Sequence, residues 1–259
     1  MSFSSSNFER EPKSVCNISS IEVRDLVKEY GDKKVLNRIN ISVCAGETIA
    51  VIGPSGTGKS TFLKILSGLE EKDSGQVIIR EKNIGMVFQY SALLNSYTIG
   101  ENIAFALHDS GFSEKKKKDL VMEKLEVVGL PEYFNSMPAE LSGGQQKRAS
   151  FARAVVNDPK IVLYDEPTAG LDPITSTIIE DYMNKLSRCE HTTGIVVTHQ
   201  HSTIRRTADR IICLNKGKIV WEGNISEIDT SHNPYIRQFM DGKTEGPFTS
   251  SSYLESKND

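Results

Sequence analysis

The sequence has no long apolar run that is free of polar residues. Its longest uncharged stretch, residues 83–100, is interrupted by asparagine, glutamine, serine and threonine. Such a stretch could not cross the hydrocarbon core of a bilayer without burying polar groups. We therefore expect no membrane-spanning helix.

Neither sign of charge dominates, since 31 Lys and Arg residues face 34 Asp and Glu residues, for a net charge of −3. This balance gives no indication of a nucleic-acid backbone as partner. The Ser-rich start lacks the apolar core of a secretory signal, and Glu9 and Glu11 are unusual in an organelle transit peptide. We expect the chain to keep its start and to reside in the cytosolic compartment.

Cysteine is scarce: there are four, without CxxC spacing and without an adjacent histidine. The pattern predicts neither a metal site nor a disulfide framework, and it suits a reducing compartment. Cys44, Cys189 and Cys213 lie in or beside apolar segments. We expect these three to be small core residues.

The apolar pattern divides the chain into an arm, a folded unit and a tail. Residues 1–20 are Ser-rich without apolar periodicity, which predicts a flexible N-terminal arm. The folded unit is expected over 21–242, with a tail over 243–259. Within it, helical spacing predicts an inserted helical subdomain at about 90–154.

The folded unit is predicted to be α/β, with a mostly parallel sheet and an antiparallel β subdomain near its N-terminus. Alternating runs predict the antiparallel strands, and buried apolar runs alternating with helices predict the parallel sheet. The predicted antiparallel strands are 21–23, 35–36 and 39–43; the buried strands are 48–52, 161–164 and 194–198; the helices are 60–69 and 175–186; and a hairpin joins 211–214 to 219–221.

The segment GPSGTGKST at 53–61 matches the phosphate-loop pattern GxxxxGK[ST] between a strand and a helix. Small residues let backbone N–H groups turn toward phosphates, and the helix N-terminus adds positive potential. Lys59 would bring a cation to the β- and γ-phosphates, and Ser60 a hydroxyl to Mg²⁺. The predicted nucleotide-binding residues are Gly53, Ser55, Gly56, Gly58, Lys59, Ser60 and Thr61. The loop alone does not distinguish an ATPase from a GTPase or a small-molecule kinase.

Two carboxylates, Asp165 and Glu166, end the strand at 161–164. An acid at the carboxyl end of a buried strand can hold Mg²⁺ opposite the phosphate loop, a role we predict for Asp165. Glu166 points to the other side of the chain and could polarise a water for in-line attack on the γ-phosphate.

The segment LSGGQQKR at 141–148 places Ser-Gly-Gly ahead of a helix, which makes a second anion-binding N-terminus. One nucleotide site does not need it. Together with the phosphate loop and Asp165, this segment resembles the signature of the ATP-binding-cassette (ABC) ATPases. The resemblance covers about residues 21–242.

That resemblance implies further site residues. Tyr30 matches the aromatic residue that stacks on adenine, Gln89 the Q-loop glutamine at the metal and the catalytic centre, and Asp172 the D-loop aspartate. His199 matches the switch histidine, a second catalytic residue beside Glu166. In this family two subunits pack head to tail, so that Ser142, Gly143 and Gly144 of one would close over ATP and Mg²⁺ held by the other.

The sequence leaves three classes of function open. The first is the energy subunit of a transporter whose permease is a separate chain. The second is a soluble cassette ATPase that acts on nucleic acid or ribosomes, which would normally carry a second cassette, a coiled coil or a zinc insertion. The third is another phosphate-loop class such as a GTPase, which the signature and the lack of an NKxD-like motif disfavour.

Segments outside the shared motifs resemble one branch, the cassette subunits of lipid transporters that work with MCE-domain proteins in bacteria, cyanobacteria and plastids. They are residues 163–174, 198–202 and above all 237–248. The resemblance implies a homodimer, a membrane permease, an MCE-type lipid-binding partner and phospholipid as cargo. It also implies a location on the inner face of the plasma membrane, or in the stroma for a plastid protein. An ABC transporter for another solute stays open.

Four consecutive lysines, 115–118, could contact anionic lipid headgroups. Consecutive helical positions spread around the helix, however, and acidic residues flank the run. We expect a solvated surface here.

Overall fold

The computed structural model describes residues 19–249 and contains two sheets. The smaller sheet is antiparallel, with strand order β2-β1-β4. Its strands are β1 (Ser19–Tyr30), β2 (Lys33–Cys44) and β4 (Ser74–Ile79). The inward positions of β1 and β2 alternate with exposed ones, as expected of a sheet with one covered face.

The larger sheet has six strands in the order β5-β6-β7-β3-β8-β9, and it is parallel except for β9 at one edge. Every residue of β3, β6 and β7 is buried, because helices or the smaller sheet cover both faces. The strands are β3 (Thr48–Ile52), β5 (Ile84–Val87), β6 (Ile161–Asp165), β7 (Thr193–Val197), β8 (Arg210–Asn215) and β9 (Lys218–Asn224).

Seven α-helices occur within the described residues. Three of them follow one another between β5 and β6 and pack together, which forms the helical subdomain: α2 (Ile99–Ala104), α3 (Glu114–Val127) and α4 (Gly143–Val155). The others are α1 (Lys59–Leu66), α5 (Pro173–Cys189), α6 (His201–Thr207) and α7 (Pro234–Asp241). Short 3₁₀ turns lie at Phe105–Ser110, Pro131–Tyr133, Pro138–Glu140 and Ile225–Glu227.

Three apolar clusters form the core. One joins the helical subdomain to α5 and one face of the large sheet, and a second lies between the small sheet, α1 and the opposite face. The third joins α6, α7 and the β8 edge through Ile204, Ile211 and Ile236. Successive side chains along the central strands therefore face different clusters, as Leu163 and Tyr164 of β6 do, which fixes the strand register.

The predicted α/β fold, with its antiparallel subdomain and helical insert, is confirmed. Strands β4 and β5 had no counterpart among the predicted elements, and the helix after the phosphate loop ends at Leu66, three residues before its predicted end. The predicted arm at 1–20 lies outside the described residues except for Ser19 and Ser20, which belong to β1. Of the predicted tail, residues 250–259 also lie outside them.

The cysteine predictions need correction. Cys213 is buried as expected, but Cys189 is exposed at the end of α5. Cys44 is disulfide-bonded. Spacing could not reveal this bond, because disulfide partners are brought together by the fold rather than by their separation in sequence.

Within residues 19–249, no helix combines the length and the apolar composition that a membrane span requires. The lysine run lies in the first two turns of α3, where Lys117 pairs with Glu114 at 2.9 Å. Lys118 lies over the Phe134 ring, 5.6 Å from its centroid. Two of the four lysines, Lys117 and Lys118, thus contact side chains of their own chain.

Candidate functional site

The phosphate loop connects β3 to α1, and its glycines are required by their surroundings. Gly58 has a φ of 97°, and a Cβ there would lie 2.7 Å from the Val35 carbonyl oxygen. Gly53 has a φ of 143°, and its Cβ would lie 2.1 Å from the Leu214 carbonyl oxygen. A Cβ at Gly56 would meet nothing within 4 Å, so this part of the loop faces open space. One side of the loop therefore packs closely against the backbone of neighbouring segments, and its other side is open. A loop that binds phosphate requires such an open side.

Lys59 is buried at the start of α1. Its Nζ donates hydrogen bonds to the carbonyl oxygens of Gly53 at 2.8 Å and Pro54 at 2.7 Å. Burial lowers the pKa of Lys59, whereas the nearby carboxylates of Glu166 and Asp165 raise it. The ammonium group thus lies inside the loop, near Asp165 and Glu166.

Ser60 and Asp165 meet across the site, with Ser60 Oγ donating to Asp165 Oδ1 at 3.1 Å. Burial raises the pKa of Asp165 above its ordinary value, although the Ser60 hydrogen bond lowers it. A bound cation would favour the ionised carboxylate. The described residues hold no cluster of three or more His, Cys, Asp or Glu side chains suited to a metal. Mg²⁺ fits this donor set, because it commonly takes one or two protein oxygens and completes its shell with phosphates and water.

Glu166 turns out of the strand end with a φ of 50°. Thr198 Oγ1 donates to its Oε2 at 3.1 Å, and His199 Nε2 lies 3.5 Å from its Oε1. Within the described residues Oε1 is buried and has no hydrogen-bond donor. An unpartnered buried carboxylate oxygen is suited to accept a proton from a water molecule.

His199 follows β7, and its side chain is 45% exposed. Its pKa is lowered by burial and by the Lys59 charge, while Glu166 and Asp165 raise it. The imidazole is therefore neutral at pH 7 and can both donate and accept a hydrogen bond.

Hydroxyl and amide side chains fix the loops after β6 and β7 to each other. Thr168 Oγ1 donates to Gln200 Oε1 at 2.7 Å, and Gln200 N–H donates to Thr198 Oγ1 at 3.1 Å. Thr203 Oγ1 donates to the buried Glu180 at 2.7 Å. None of these residues was among the predicted site residues, because their roles depend on contacts between distant segments.

Tyr30 ends β1 beside the phosphate loop. It lines a cavity of about 250 Å³ together with Val35 and loop residues from Gly56 to Thr61. Its hydroxyl donates to the Glu70 carboxylate, and this hydrogen bond raises the pKa of Tyr30. Tyr30 is 48% exposed, and Lys28 Nζ lies over its ring at 5.1 Å from the centroid, so the exposed part of the ring is available to a planar base.

A larger cleft of about 680 Å³ lies between β2 and β9, lined by Lys34, Arg38 and Lys218 among others, and shares no residue with this cavity. It contains none of the predicted site residues.

Gln89 lies just after β5 and is exposed. The two residues that follow its neighbour Tyr90 are tied to α4: Ser91 Oγ donates to Gln146 Oε1 at 3.3 Å, and Arg153 donates to the Ala92 carbonyl oxygen at 2.8 Å. The segment after Gln89 is therefore connected directly to the helix that carries the Ser-Gly-Gly sequence.

Ser142 caps α4 through a capping box with Gln145. Ser142 and Gly143 are exposed, and a Cβ at Gly143 would meet nothing within 4 Å. A Cβ at Gly144 would touch only Leu171, at 3.4 Å. This helix N-terminus is therefore open to solvent.

Asp172 caps α5, where its Oδ1 accepts from the N–H groups of Ile174 and Thr175 at 3.0 Å. Hydrogen bonds from Thr175 lower the pKa of Asp172. The segment before it is held by Lys147, whose Nζ donates to the Ala169 carbonyl oxygen at 2.7 Å.

The predicted site residues thus form two groups. Lys59, Ser60, Asp165, Glu166 and His199 lie together, with Tyr30 at the edge of the same loop. Ser142, Gly143 and Gly144 form an exposed second group, with Asp172 in the adjoining loop.

Comparison with known proteins gives consistent matches. A family model described as ABC transporter matches residues 36–169. The chain is 43% identical to Protein TRIGALACTOSYLDIACYLGLYCEROL 3, chloroplastic, of Arabidopsis thaliana, over 88% of this chain and 75% of that protein. It is 40% identical to the spermidine/putrescine import ATP-binding protein PotA of Pasteurella multocida, over 88% of this chain and 64% of PotA.

Solved structures also resemble the chain. The dimeric structure of a bacterial ABC transporter cassette matches with a TM-score of 0.75 and 32% identity, over 79% of this chain and 98% of that one. A dimeric post-hydrolysis state of an ATP-binding cassette, bound to ADP and Pi, matches with a TM-score of 0.74 and 31% identity, over the same shares of the two chains.

Proposed function

Because this chain belongs to the ABC transporter family of ATPases, we propose that it powers a membrane lipid transporter with a separate permease and an MCE-type lipid-binding partner. The single observation that carries the catalytic part is the group Lys59, Ser60, Asp165, Glu166 and His199, assembled from one helix and the ends of two parallel strands. In open α/β sheets, ligands bind at the carboxyl ends of the strands.

In the proposed reaction, the phosphate loop binds ATP through its backbone N–H groups, and Lys59 contacts the β- and γ-phosphates. Ser60, Gln89 and Asp165 would together hold Mg²⁺. The ion would supply positive charge to the phosphate oxygens. Glu166 Oε1 accepts a proton from water as its oxygen attacks the γ-phosphorus. The bond to the bridging oxygen breaks, and ADP and phosphate are released.

Thr198 holds Glu166 in place by a hydrogen bond, and His199 lies beside the other carboxylate oxygen. The Thr198 hydrogen bond occupies Oε2, which leaves Oε1 for water. The neutral imidazole of His199 can donate a hydrogen bond to the transferred phosphoryl group, where negative charge is concentrated.

The exposed group Ser142, Gly143 and Gly144 is proposed to close over ATP held by a second copy of the chain. An open helix N-terminus favours an anion but lacks the catalytic groups around it. Two copies packed head to tail would complete two sites. Hydrolysis then removes the phosphate that joins the two copies, and the dimer opens.

The surface formed by the residues that follow Gln89 is suited to contact a permease. It exposes large apolar side chains, with Tyr90 at 80% and Phe105 at 57% exposure, and Tyr97 lies 6.4 Å from Phe105 between ring centroids. Exposed apolar clusters commonly mark protein contacts. The bonds of the 91–92 segment to α4 would transmit closure of the dimer to such a partner.

Lipid as the cargo is supported by the resemblance of residues 163–174, 198–202 and 237–248 to the MCE-associated branch. It is also supported by the Arabidopsis relative, which bears the name of a galactolipid. The competing candidate is a transporter of another solute, because other relatives are named as importers of polyamines or of sulfate and thiosulfate. The proposal locates the subunit at the cytoplasmic face of the membrane, or at the stromal side in a plastid, with no nucleic-acid partner.

The test is to express a tagged Glu166→Gln form in its native host, solubilise the membranes in mild detergent, capture the protein with ATP present, and identify proteins and lipids by mass spectrometry. The same capture with Lys59→Ala is the matched control, since that variant should not close on ATP. ATP-dependent recovery of a multi-span permease, an MCE-type protein and phospholipid is the expected result.

A permease recovered with a different solute-binding protein would keep the transporter role and reject lipid as the cargo. Ribosomal or DNA-repair partners without a permease would overturn the transporter role altogether.

A further inference from the structure

The C-terminal helix α7 is anchored to the folded unit. Ile236 is fully buried in the third core cluster, and Gln238 is 5% exposed. Gln238 Oε1 accepts from the N–H of Phe248 at 2.8 Å, and Phe248 stacks edge-on against Tyr235 with 5.2 Å between ring centroids. The helix therefore holds its side chains at fixed positions relative to the large sheet.

One side chain of this helix reaches the catalytic group. The Phe239 ring lies 6.4 Å from the His199 ring and 5.7 Å from the His201 ring, measured between centroids, with interplanar angles of 33° and 43°. These distances fall within the range of favourable aromatic pairs. Phe239 thus contacts both histidines that flank the start of α6.

This contact matters because of how His199 is held. Its side chain is nearly half exposed, and it lies in the short segment between β7 and α6 rather than inside a helix or strand. Glu166 approaches the imidazole at Nε2, at 3.5 Å. Phe239 is uncharged, so it can restrict the orientation of the ring without adding a charge to the site.

We propose that Phe239 is a positioning residue for ATP hydrolysis, which holds the His199 imidazole with Nε2 toward Glu166. This inference rests on the role proposed for His199. It connects the C-terminal helix to the catalytic centre, and it assigns Phe239 no contact with ATP.

The experiment measures steady-state ATP hydrolysis by the purified full chain with ATP and Mg²⁺. An aromatic pair of ordinary strength corresponds to an effect of about three- to tenfold, so Phe239→Leu should lower kcat by about that factor. KM for ATP should stay unchanged, because Tyr30 and the phosphate loop are untouched. Phe239→Tyr keeps the ring and should restore kcat.

Tyr235→Leu is the matched control. Tyr235 is an aromatic residue of the same helix and is also half-buried, but its ring partner is Phe248 rather than a histidine. It should lose thermal stability as Phe239→Leu does while keeping kcat. An equal loss of kcat in Tyr235→Leu would overturn the proposal, because any loosening of α7 would then suffice.

A double-mutant cycle separates the inference from the role of His199. His199→Ala should abolish most of the turnover, and adding Phe239→Leu to it should change little, because coupled residues are not additive. A full additional loss in the double variant would overturn the inference. Normal turnover in His199→Ala would instead reject the role proposed for His199.

A measurement on the unaltered protein covers the case in which a variant does not fold. Nuclear Overhauser contacts between the His199 imidazole protons and the Phe239 ring protons are expected by NMR. Their absence, in a spectrum where the Tyr235 to Phe248 contacts are seen, would contradict the proposed positioning.

Discussion

Two helix N-termini in this chain are suited to phosphate, and their surroundings differ sharply. The helix α1 begins at Lys59, which lies near Asp165 and Glu166, with His199 close by. The N-terminus of α4 is exposed, and within residues 19–249 a Cβ at Gly143 would meet nothing within 4 Å. The first is proposed to be a reaction centre, and the second a binding surface alone.

The two helices are also capped differently. Gly58 caps α1 without any side-chain hydrogen bond, so the first N–H groups stay free for a ligand. Ser142 caps α4 and accepts from the Gln145 N–H at 3.3 Å. Under the proposed function, each of these surfaces lacks what the other supplies, and pairing with another copy brings the two together. The following substitutions test whether the two phosphate surfaces have these different roles.

The largest effect is expected from Glu166→Gln. The amide keeps the size of the side chain but cannot accept the proton of water, and loss of a general base typically costs about 10²- to 10⁴-fold in rate. ATP should still bind, and the ATP-bound dimer should accumulate. Single-turnover hydrolysis and light scattering after size exclusion, with and without ATP, measure both results.

Glu47→Gln serves as the control for Glu166→Gln. Glu47 is also a buried carboxylate, but it pairs with Arg210 at 2.7 Å, in the region where β3 begins. We expect this variant to lose stability and to keep its turnover per folded molecule. If Glu166→Gln also keeps normal turnover, Glu166 is not the base and the reaction centre is incomplete.

Lys59→Ala is expected to have the next largest effect, on binding rather than on the chemical step alone. Hydrogen bonds to charged groups contribute about 1.5–3 kcal/mol, so ATP affinity should fall by about 10- to 100-fold. Fluorescent nucleotide titration measures the change. Lys124→Ala is the matched control, because Lys124 is equally buried but pairs with Asp158 at 3.0 Å in the helical subdomain. Equal affinity losses in both variants would show that nucleotide binding depends only on general stability.

The two phosphate surfaces were the part of the candidate site that could be predicted from the sequence. Both surfaces are contiguous motifs, and the strands around the first are uninterrupted apolar runs because both faces of the sheet are covered. Tyr30, Gln89, Asp172 and His199 rested on family resemblance, because a single aromatic, amide, acid or imidazole has no distinctive local pattern.

Contacts between separate segments were beyond prediction. Thr198 donates to Glu166 from the segment after β7, and Phe239 meets His199 from α7. Strand β4 was missed because it alternates exposed with partly buried residues at a sheet edge, and β5 because it has only four residues. In each case the partner that defines the feature lies far away in the sequence.

The smallest effect is expected at the second surface, from Ser142→Ala. The hydroxyl caps α4 and is proposed to contact the γ-phosphate held by the partner copy. Its loss should lower ATP hydrolysis by about tenfold, the effect of one lost hydrogen bond to a charged group. ATP binding by the single chain should not change, because the first surface is intact. Dimer formation in the Glu166→Gln background should need more ATP, as measured by light scattering.

Ser113→Ala makes this last prediction specific. Ser113 caps α3 as Ser142 caps α4, and each hydroxyl accepts from the N–H three residues later at 3.3 Å. Loss of either cap should lower stability by about 1 kcal/mol. Only Ser142→Ala should lower hydrolysis and dimer formation, because only its helix N-terminus is proposed to meet a phosphate. If both variants lower hydrolysis equally, the Ser142 hydroxyl is merely a helix cap, and the second surface binds its phosphate through backbone N–H groups alone or not at all.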